Sequence, residues 1–450
     1  MLVLFGVAGG QPSQQDPPGP VPATPATPPQ TPAPPGTKGP VPTKEEQPEP
    51  SAPVEVAPES PPVPEKLLET RTPVTDTPRV FIGPDLFNPP AHQGWITVTP
   101  SLTLSGEYND NIFYSMRNRR DDAIFSITPG VTLTMRKPNY RLSAGFHTSG
   151  EFYLNESELN DFGKSTRFFA DWSYQMSPNV SFAVAEDFIY SRDSNAITSS
   201  GVSVGRQDAW RNTITPSVRW QATPNTGFNL YASHTIIRLD ENVEDERDSD
   251  TFRLGLTADH RLTARLTGTA GIEGAYIDTS GEPKAWTVTP RVGLSYIVTP
   301  TLRVFGSAGP TLLDRDGDTS VSPAVNVGLI QTFKFGLLQV GYDRAVVAET
   351  IGVVDRHAFF ASLVVPTLQR GLQLEFTPRY SIVDPEAGSS RGTVDTISLN
   401  LTAKYRIVRN ISAIASYTFF HQSFDRSGVG DIDQNRVFLG LQYAYPISIY

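Results

Sequence analysis

The chain contains no cysteine. That absence excludes a disulfide framework, a cysteine-ligated metal, a cysteine nucleophile and an acylated N-terminal cysteine. It is compatible with the periplasm or the outer membrane. No run of about 18 apolar residues occurs, so no helix is expected to span a bilayer. Positive charge is in the minority: 37 Lys and Arg stand against 47 Asp and Glu, a formal net charge of -10. That balance argues against nucleic acid as a partner. No histidine pair has metal-ligand spacing, and no GxGxxG or P-loop pattern appears. No cofactor and no metal are expected.

Proline is what the chain has in quantity, with 40 residues. Half of them lie between Gln11 and Pro64, so the composition is split. The start, "MLVLFGVAGG" (residues 1–10), reads as the remnant of a signal peptide: a short apolar run with a small-residue exit but no basic region before it. Residues 11–94 read as a disordered, proline-rich periplasmic segment without apolar period. As polyproline II, about fifty residues of it reach on the order of 150 Å, at about 3.1 Å per residue. Residues 95–450 are rich in Thr, Ser, Val, Leu, Phe and Tyr, which are strand formers.

Within that region the apolar period is two. In "TVDTISLNLTAKYRIV", Ile397, Leu399, Leu401, Ala403, Tyr405 and Ile407 share one face. Ser398, Asn400, Thr402, Lys404 and Arg406 share the other. "AWTVTPRVGLSYIV" and "NRVFLGLQYAY" alternate in the same way. The connections alternate as well. Eight short ones carry Pro, Asn or Gly suited to tight turns: 136–141, 176–181, 222–227, 261–265, 298–303, 334–339, 367–372 and 407–412. Nine longer, polar ones lie between them: 115–121, 155–164, 191–208, 240–250, 278–284, 314–320, 344–355, 384–392 and 422–434.

This grammar predicts an all-β protein, a transmembrane antiparallel β-barrel of about 18 strands. Both chain ends fall on the short-turn side, which faces the periplasm in such barrels. A soluble propeller is the competing class, with shorter strands and a motif repeated in each blade. Trp95, Trp172, Tyr174, Trp220, Tyr296, Tyr443 and Tyr445 lie near the short turns and are expected to form an interfacial girdle.

The first hairpin carries a resemblance. "LSGEYNDNIFYS" followed by "DDAIFSITPGVTLTM" resembles a β-barrel porin family found beside exopolysaccharide and capsule biosynthesis genes. The matching residues are Tyr108, Asn109, Asp110, Asn111, Ile112 and Phe113, then Pro129 and Gly130. The resemblance covers the region from about residue 95 onward. It implies an outer-membrane barrel and, for some members, passage of a polysaccharide. It brings no catalytic residues. Expected partners are outer-membrane lipid, the barrel-assembly machinery, and a polysaccharide or periplasmic export machinery.

The polar rows are expected to line the lumen. By alternation they hold Arg136, Arg141, Arg167, Arg219, Arg253, Arg261, Arg265, Arg291, Arg303, Lys334, Arg379, Lys404 and Arg406. Their acids are Glu107, Glu151, Asp171, Asp259, Glu273, Asp343 and Glu375. Bases outnumber acids there although the whole chain is acidic, and a confined cationic lining concentrates anions. Arginine's planar fork suits carboxylate and phosphate. The competing reading is that these groups pair across strands and brace the wall. His147, Ser149 and Asp171 have triad composition but lie along ordinary strand rows, so an enzyme is not expected. "DRDGDTS" (314–320) reads as an acidic loop without the bidentate glutamate of a calcium-binding EF-hand.

The expectation is a channel for polar solutes, linked to exopolysaccharide export. A diffusion porin and a plugged structural or adhesin-like barrel are the alternatives. One oddity remains. Pro100, Pro129, Pro216, Pro290 and Pro378 all sit mid-strand, each directly after a threonine. All five share the apolar row. Proline lacks a ladder donor, so local bulges are expected beside them.

Overall fold

The computed structural model describes residues 95–449, apart from 194, 195, 199, 204, 241–247, 350, 351, 370, 386–391 and 426–429. The signal-like start and the proline-rich segment lie outside the described residues.

Eighteen long strands follow one another: β1 (Ile96–Asn109), β2 (Asp122–Lys137), β3 (Tyr140–Tyr153), β4 (Asp161–Ser177), β5 (Val180–Asp193) and β6 (Arg206–Thr223). Then come β7 (Thr226–Leu239), β8 (Ser249–Arg261), β9 (Leu266–Thr279), β10 (Ala285–Thr299), β11 (Leu302–Arg315) and β12 (Asp318–Phe333). The last are β13 (Gly336–Glu349), β14 (Gly352–Gln369), β15 (Leu372–Pro385), β16 (Val394–Val408), β17 (Ile411–Phe424) and β18 (Ile432–Ala444). A three-residue piece, β19 (Ile447–Ile449), continues β18 along β1 beyond Pro446. Each strand pairs antiparallel with its sequence neighbours, and β1 pairs with β18 from Ser101↔Ala444 to Asn109↔Arg436. The sheet is therefore closed. Closure removes the edge that so many long strands would otherwise expose, and lets neighbouring strands satisfy backbone groups within the wall.

The two faces are chemically opposite. Leu254, Leu439, Val292 and Trp286 are exposed on the outer row, whereas Ser101, Thr103, Thr289, Thr402 and Gln442 are buried on the inner one. Water-facing proteins reverse that arrangement. An apolar exterior over polar inner rows is the pattern of a transmembrane barrel.

All eight short turns fall where the sequence places them. Two of the nine longer connections do not exist as loops. Strands β11 and β12 run on to a two-residue turn at Asp316 and Gly317, with φ of 52° and 90°. Asp-Gly with both φ positive is the type I′ hairpin, so the "DRDGDTS" loop is a turn. Strands β13 and β14 likewise extend to Glu349 and Gly352. There the charged and small residues lie in ladder rather than loop.

The expected bulges beside the prolines are absent. Pairing on either side of Pro129 keeps one register between β2 and β3, with two pairs missing between Ile127↔Gly150 and Gly130↔His147. The same gap occurs at Pro216 between β6 and β7, a gap of three pairs at Pro290 between β10 and β11, and again one of two pairs at Pro378 between β14 and β15. Pro100 lies where the pairing of β1 passes from β18 to β19. The lost donor is handled by skipping ladder bonds, not by shifting register. On the lumen side, hydroxyl pairs bridge three of the gaps: Thr128 with Ser149 at 2.7 Å, Thr289 with Thr311 at 2.9 Å, and Thr215 with Ser233 at 3.4 Å. At the third gap Pro310 stands opposite Pro290, so neither strand offers a donor. A Cβ on the adjacent Gly309 would stand 1.8 Å from the Pro290 carbonyl oxygen, so only glycine fits.

Candidate functional site: the lumen

The site is the inner row and what crosses it. The registers place eighteen of the twenty sequence-derived residues on the inward row of a strand. Arg265 and Lys334 instead lie in the turns after β8 and β12, where no row is defined. That corrects their assignment to the wall.

The inner charges divide along the axis. Toward the long loops they are paired. Arg167 and Arg211 share Asp187 at 2.6 and 3.3 Å. Arg253 reaches Glu273 at 3.3 Å, and Tyr231 donates to the same carboxylate. Arg356 and Asp343 form a buried pair at 2.7 Å, with Asn326 donating to Asp343 at 3.3 Å. Arg436 grips Glu107 with two nitrogens at 2.9 and 3.0 Å, and its third meets Asp193 at 2.9 Å. Beside them Arg206 donates to Tyr153 and approaches Glu151 at 4.0 Å.

Toward the short turns the picture changes. Arg136, Arg141, Arg219, Arg261 and Arg303 form no ion pair among the described residues, and neither does Arg291, which stands midway along β10. Of these, Arg303 donates to the Ser295 hydroxyl at 2.7 Å. Lys404 nearby is held by the Gln442 side chain at 2.9 Å. Asp259 accepts from Thr269 at 3.1 Å. Glu375 lies on the inward row of β15, paired by register with Val364 and Thr402. Arg379 and Arg406 occupy the inward rows of β15 and β16. The bases therefore ring the short-turn mouth, because β2, β3, β6, β8, β11 and β16 are spread around the barrel.

The long-loop mouth is obstructed. The connection after β5 turns inward and reaches β13, β15 and β17, on the far wall of the ring. Ser203 and Gln422 exchange two hydrogen bonds, N–H to Oε1 and Nε2–H to O, each 2.7 Å. The Ser200 amide donates to Glu349 at 2.9 Å, and the Ser381 hydroxyl donates to the Ser200 carbonyl at 2.7 Å. Val202 inserts among Val347, Val354, Val383 and Val394. Ile197 holds the root of the loop against Ile189, Ala209 and Ile237. The end of the β13–β14 hairpin packs on both sides: Val354 meets that valine cluster, while Val353 meets Ile277, Ala285 and Leu313. Apolar packing inside a polar tube marks these segments as built to sit there.

The first-hairpin motif has a structural task. Asn111 is fully buried. Its side chain donates to the Ser115 and Asp433 carbonyls, both at 2.9 Å, and accepts from the Ser115 amide at 2.8 Å. Gln434 donates to the Asn111 carbonyl at 2.7 Å, and Asp110 accepts from the Asn435 amide at 2.6 Å. Asn109, Asp110 and Asn111 thus tie the first loop to β18 where the barrel closes.

Sequence reading missed Arg206, Arg211, Arg356 and Arg436 on the inner face. It also missed a second girdle. Tyr108, Tyr190, Tyr276, Tyr380 and Tyr417 stand on the outer row toward the long loops, their hydroxyls donating to Asp121, Asp240, Asp278, Asp395 and Asn435. The signal available was Tyr on odd-numbered strands with an acid or amide close by.

These features define a closed, eighteen-stranded transmembrane β-barrel with a polar, loop-crossed lumen. No family model matches the chain, and no curated protein matches it. Solved structures resemble it in outline. OccK9 (OpdG) of Pseudomonas aeruginosa is 10% identical with a TM-score of 0.44, over 79% of this chain and 100% of that one. OccAB4 of Acinetobacter baumannii is 12% identical at 0.43, over 79% and 99%. OpdQ of Pseudomonas aeruginosa is 9% identical at 0.43, over 78% and 98%. That likeness ends at the barrel.

Proposed function

We propose that the protein is an outer-membrane channel for polar solutes that favours anions, with its short-turn mouth toward the periplasm. The observation that carries this is the set of arginines at that mouth, Arg136, Arg141, Arg219, Arg261 and Arg303, that form no ion pair among the described residues. In a narrow channel with low-dielectric walls, fixed charge of one sign raises the local concentration of the other. Arginine offers anions a planar, bidentate fork. The long-loop half holds paired charges and the crossing loop, so it supplies the constriction. The reading is a conduit and not an enzyme.

The finer reading is a link to export of an anionic exopolysaccharide, with the proline-rich segment on the periplasmic side. The first-hairpin resemblance supports it. Planar-bilayer recordings test the channel: a reversal potential showing anion preference is expected, and clear cation preference sinks the reading. Deleting the gene and measuring surface polysaccharide tests the export link; unchanged polysaccharide removes it. Deleting residues 11–70 tests whether the extension serves a partner. Unchanged localisation and secretion remove that idea.

The crossing loop favours a second reading, a non-conducting structural barrel. Absence of any conductance step from folded protein is its signature.

A further inference from the structure

The two rims of the barrel differ in charge. The eight short connections hold nine Lys or Arg and no Asp or Glu, whereas the nine longer ones hold 25 Asp or Glu against 12 Lys or Arg. Three of the short-turn bases lie outside the inward rows. Lys137 continues the outer row of Val131, Leu133 and Met135 at the end of β2, and its ammonium lies 4.0 Å from the centre of the Trp95 ring. Arg265 and Lys334 stand in the turns after β8 and β12. All three are exposed and form no ion pair among the described residues. Each also has exposed apolar company. Trp95 is exposed beneath Lys137, and Leu262, 55% exposed, shares the turn of Arg265. Phe333 and Phe335 flank Lys334, their rings stacked with centroids 5.1 Å apart, and Phe335 is 51% exposed.

Exposed apolar side chains set beside cations are what a membrane interface accommodates: the apolar part enters the acyl boundary and the charge stays among the headgroups. We propose that the short-turn rim is a binding surface for anionic phospholipid headgroups, the phosphatidylglycerol and cardiolipin class, in the leaflet that the short turns meet. Charge complementarity sets the sign, since each basic residue at an anionic lipid surface raises association roughly fivefold. Two further observations select a lipid over a soluble polyanion. Leu262, Phe333 and Phe335 find an apolar medium at a bilayer and none on a hydrated anionic chain. The turns that carry Lys137, Arg265 and Lys334 follow β2, β8 and β12, so they are spread around the closed sheet. A lipid annulus meets all of them at once. The depth agrees. Trp220 and Tyr296 stand three residues before the ends of β6 and β10 at Thr223 and Thr299. That is roughly 10 Å of tilted strand, against a headgroup layer of roughly 5–8 Å on each side of the hydrocarbon. The proposal stands whether or not the lumen conducts.

The test uses the full-length barrel in phosphatidylcholine bilayers that carry a trace of spin-labelled lipid, read by electron spin resonance. The motionally restricted fraction, which is lipid held at the protein wall, is expected to be at least about twofold larger for labelled phosphatidylglycerol than for labelled phosphatidylcholine. Lys137→Gln with Arg265→Gln and Lys334→Gln is expected to bring that ratio to about one while the barrel keeps its heat-modifiable migration. Arg219→Gln with Arg291→Gln, which changes bases of the inner rows, is expected to leave the ratio as it was. A soluble polyuronate chain is the competing probe. The proposal is overturned if the parent shows no preference, if the triple variant keeps it, if the inner-row pair abolishes it, or if the triple variant loses retention of polyuronate and keeps its lipid preference.

Discussion

Gln422→Ala attacks the crossing loop at its far anchor. In the intact barrel the Gln422 amide satisfies both the N–H and the carbonyl of Ser203, at 2.7 Å each. Alanine removes both bonds. A typical intramolecular hydrogen bond contributes about 0.5–1.5 kcal/mol net. Two therefore hold the loop by about 1–3 kcal/mol, a roughly 5–150-fold bias toward the crossed state. Lumen water compensates part of the loss, which places the effect toward the lower figure. The remaining anchors, Ser200 to Glu349 and Ser381 to Ser200, together with Val202 in its valine cluster, keep the loop from leaving outright. The expected outcome in single-channel recordings is a higher open probability or a larger conductance, with unchanged urea stability of the barrel. Adding Val202→Asp, which drives a charge out of the apolar cluster, is expected to enlarge the effect. If both variants conduct as the parent does, the loop does not set the constriction.

Three further outcomes are expected. Arg219→Gln with Arg291→Gln removes two bases that form no ion pair among the described residues, and the reversal potential under a salt gradient should move toward cation preference by a measurable few millivolts or more; no movement would place the selectivity elsewhere. Arg356→Met leaves Asp343 buried without its guanidinium, and breaking such a pair costs about 3–5 kcal/mol, to be read as a lower urea midpoint. Gly309→Ala forces a methyl against the Pro290 carbonyl and should prevent recovery of folded barrel, whereas Gly106→Ala, which meets nothing within 4 Å, should not.

Strand number, closure and the eight short turns were legible because each rests on a local signal. Period-two alternation survives along every strand, and Pro-Asn or Gly turns punctuate one end. The Arg315–Asp318 turn was misread because charged residues were taken as loop composition, while Asp316-Gly317 carried the hairpin signal. The proline gaps were half-legible. The shared phase of the five prolines was in the sequence, but whether the sheet shifts or skips depends on the partner strand. The crossing of the lumen was not legible at all. Ser203 and Gln422 are 219 residues apart, and nothing local announces their meeting. Inner arginines such as Arg211 and Arg436 escaped because their value comes from carboxylates on other strands.

The ladder gaps have a mechanical consequence. They lie between β2 and β3, β6 and β7, β10 and β11, β14 and β15, with the fifth at the β18–β1 seam. Four of the intervals between them are thus four strands wide. Each gap loosens the grip between neighbouring strands and leaves the covalent chain along each strand intact. Stiffness therefore falls around the circumference and is kept along the axis. The wall behaves as firm panels joined by soft lengthwise creases, a tube that ovalises more readily than it stretches.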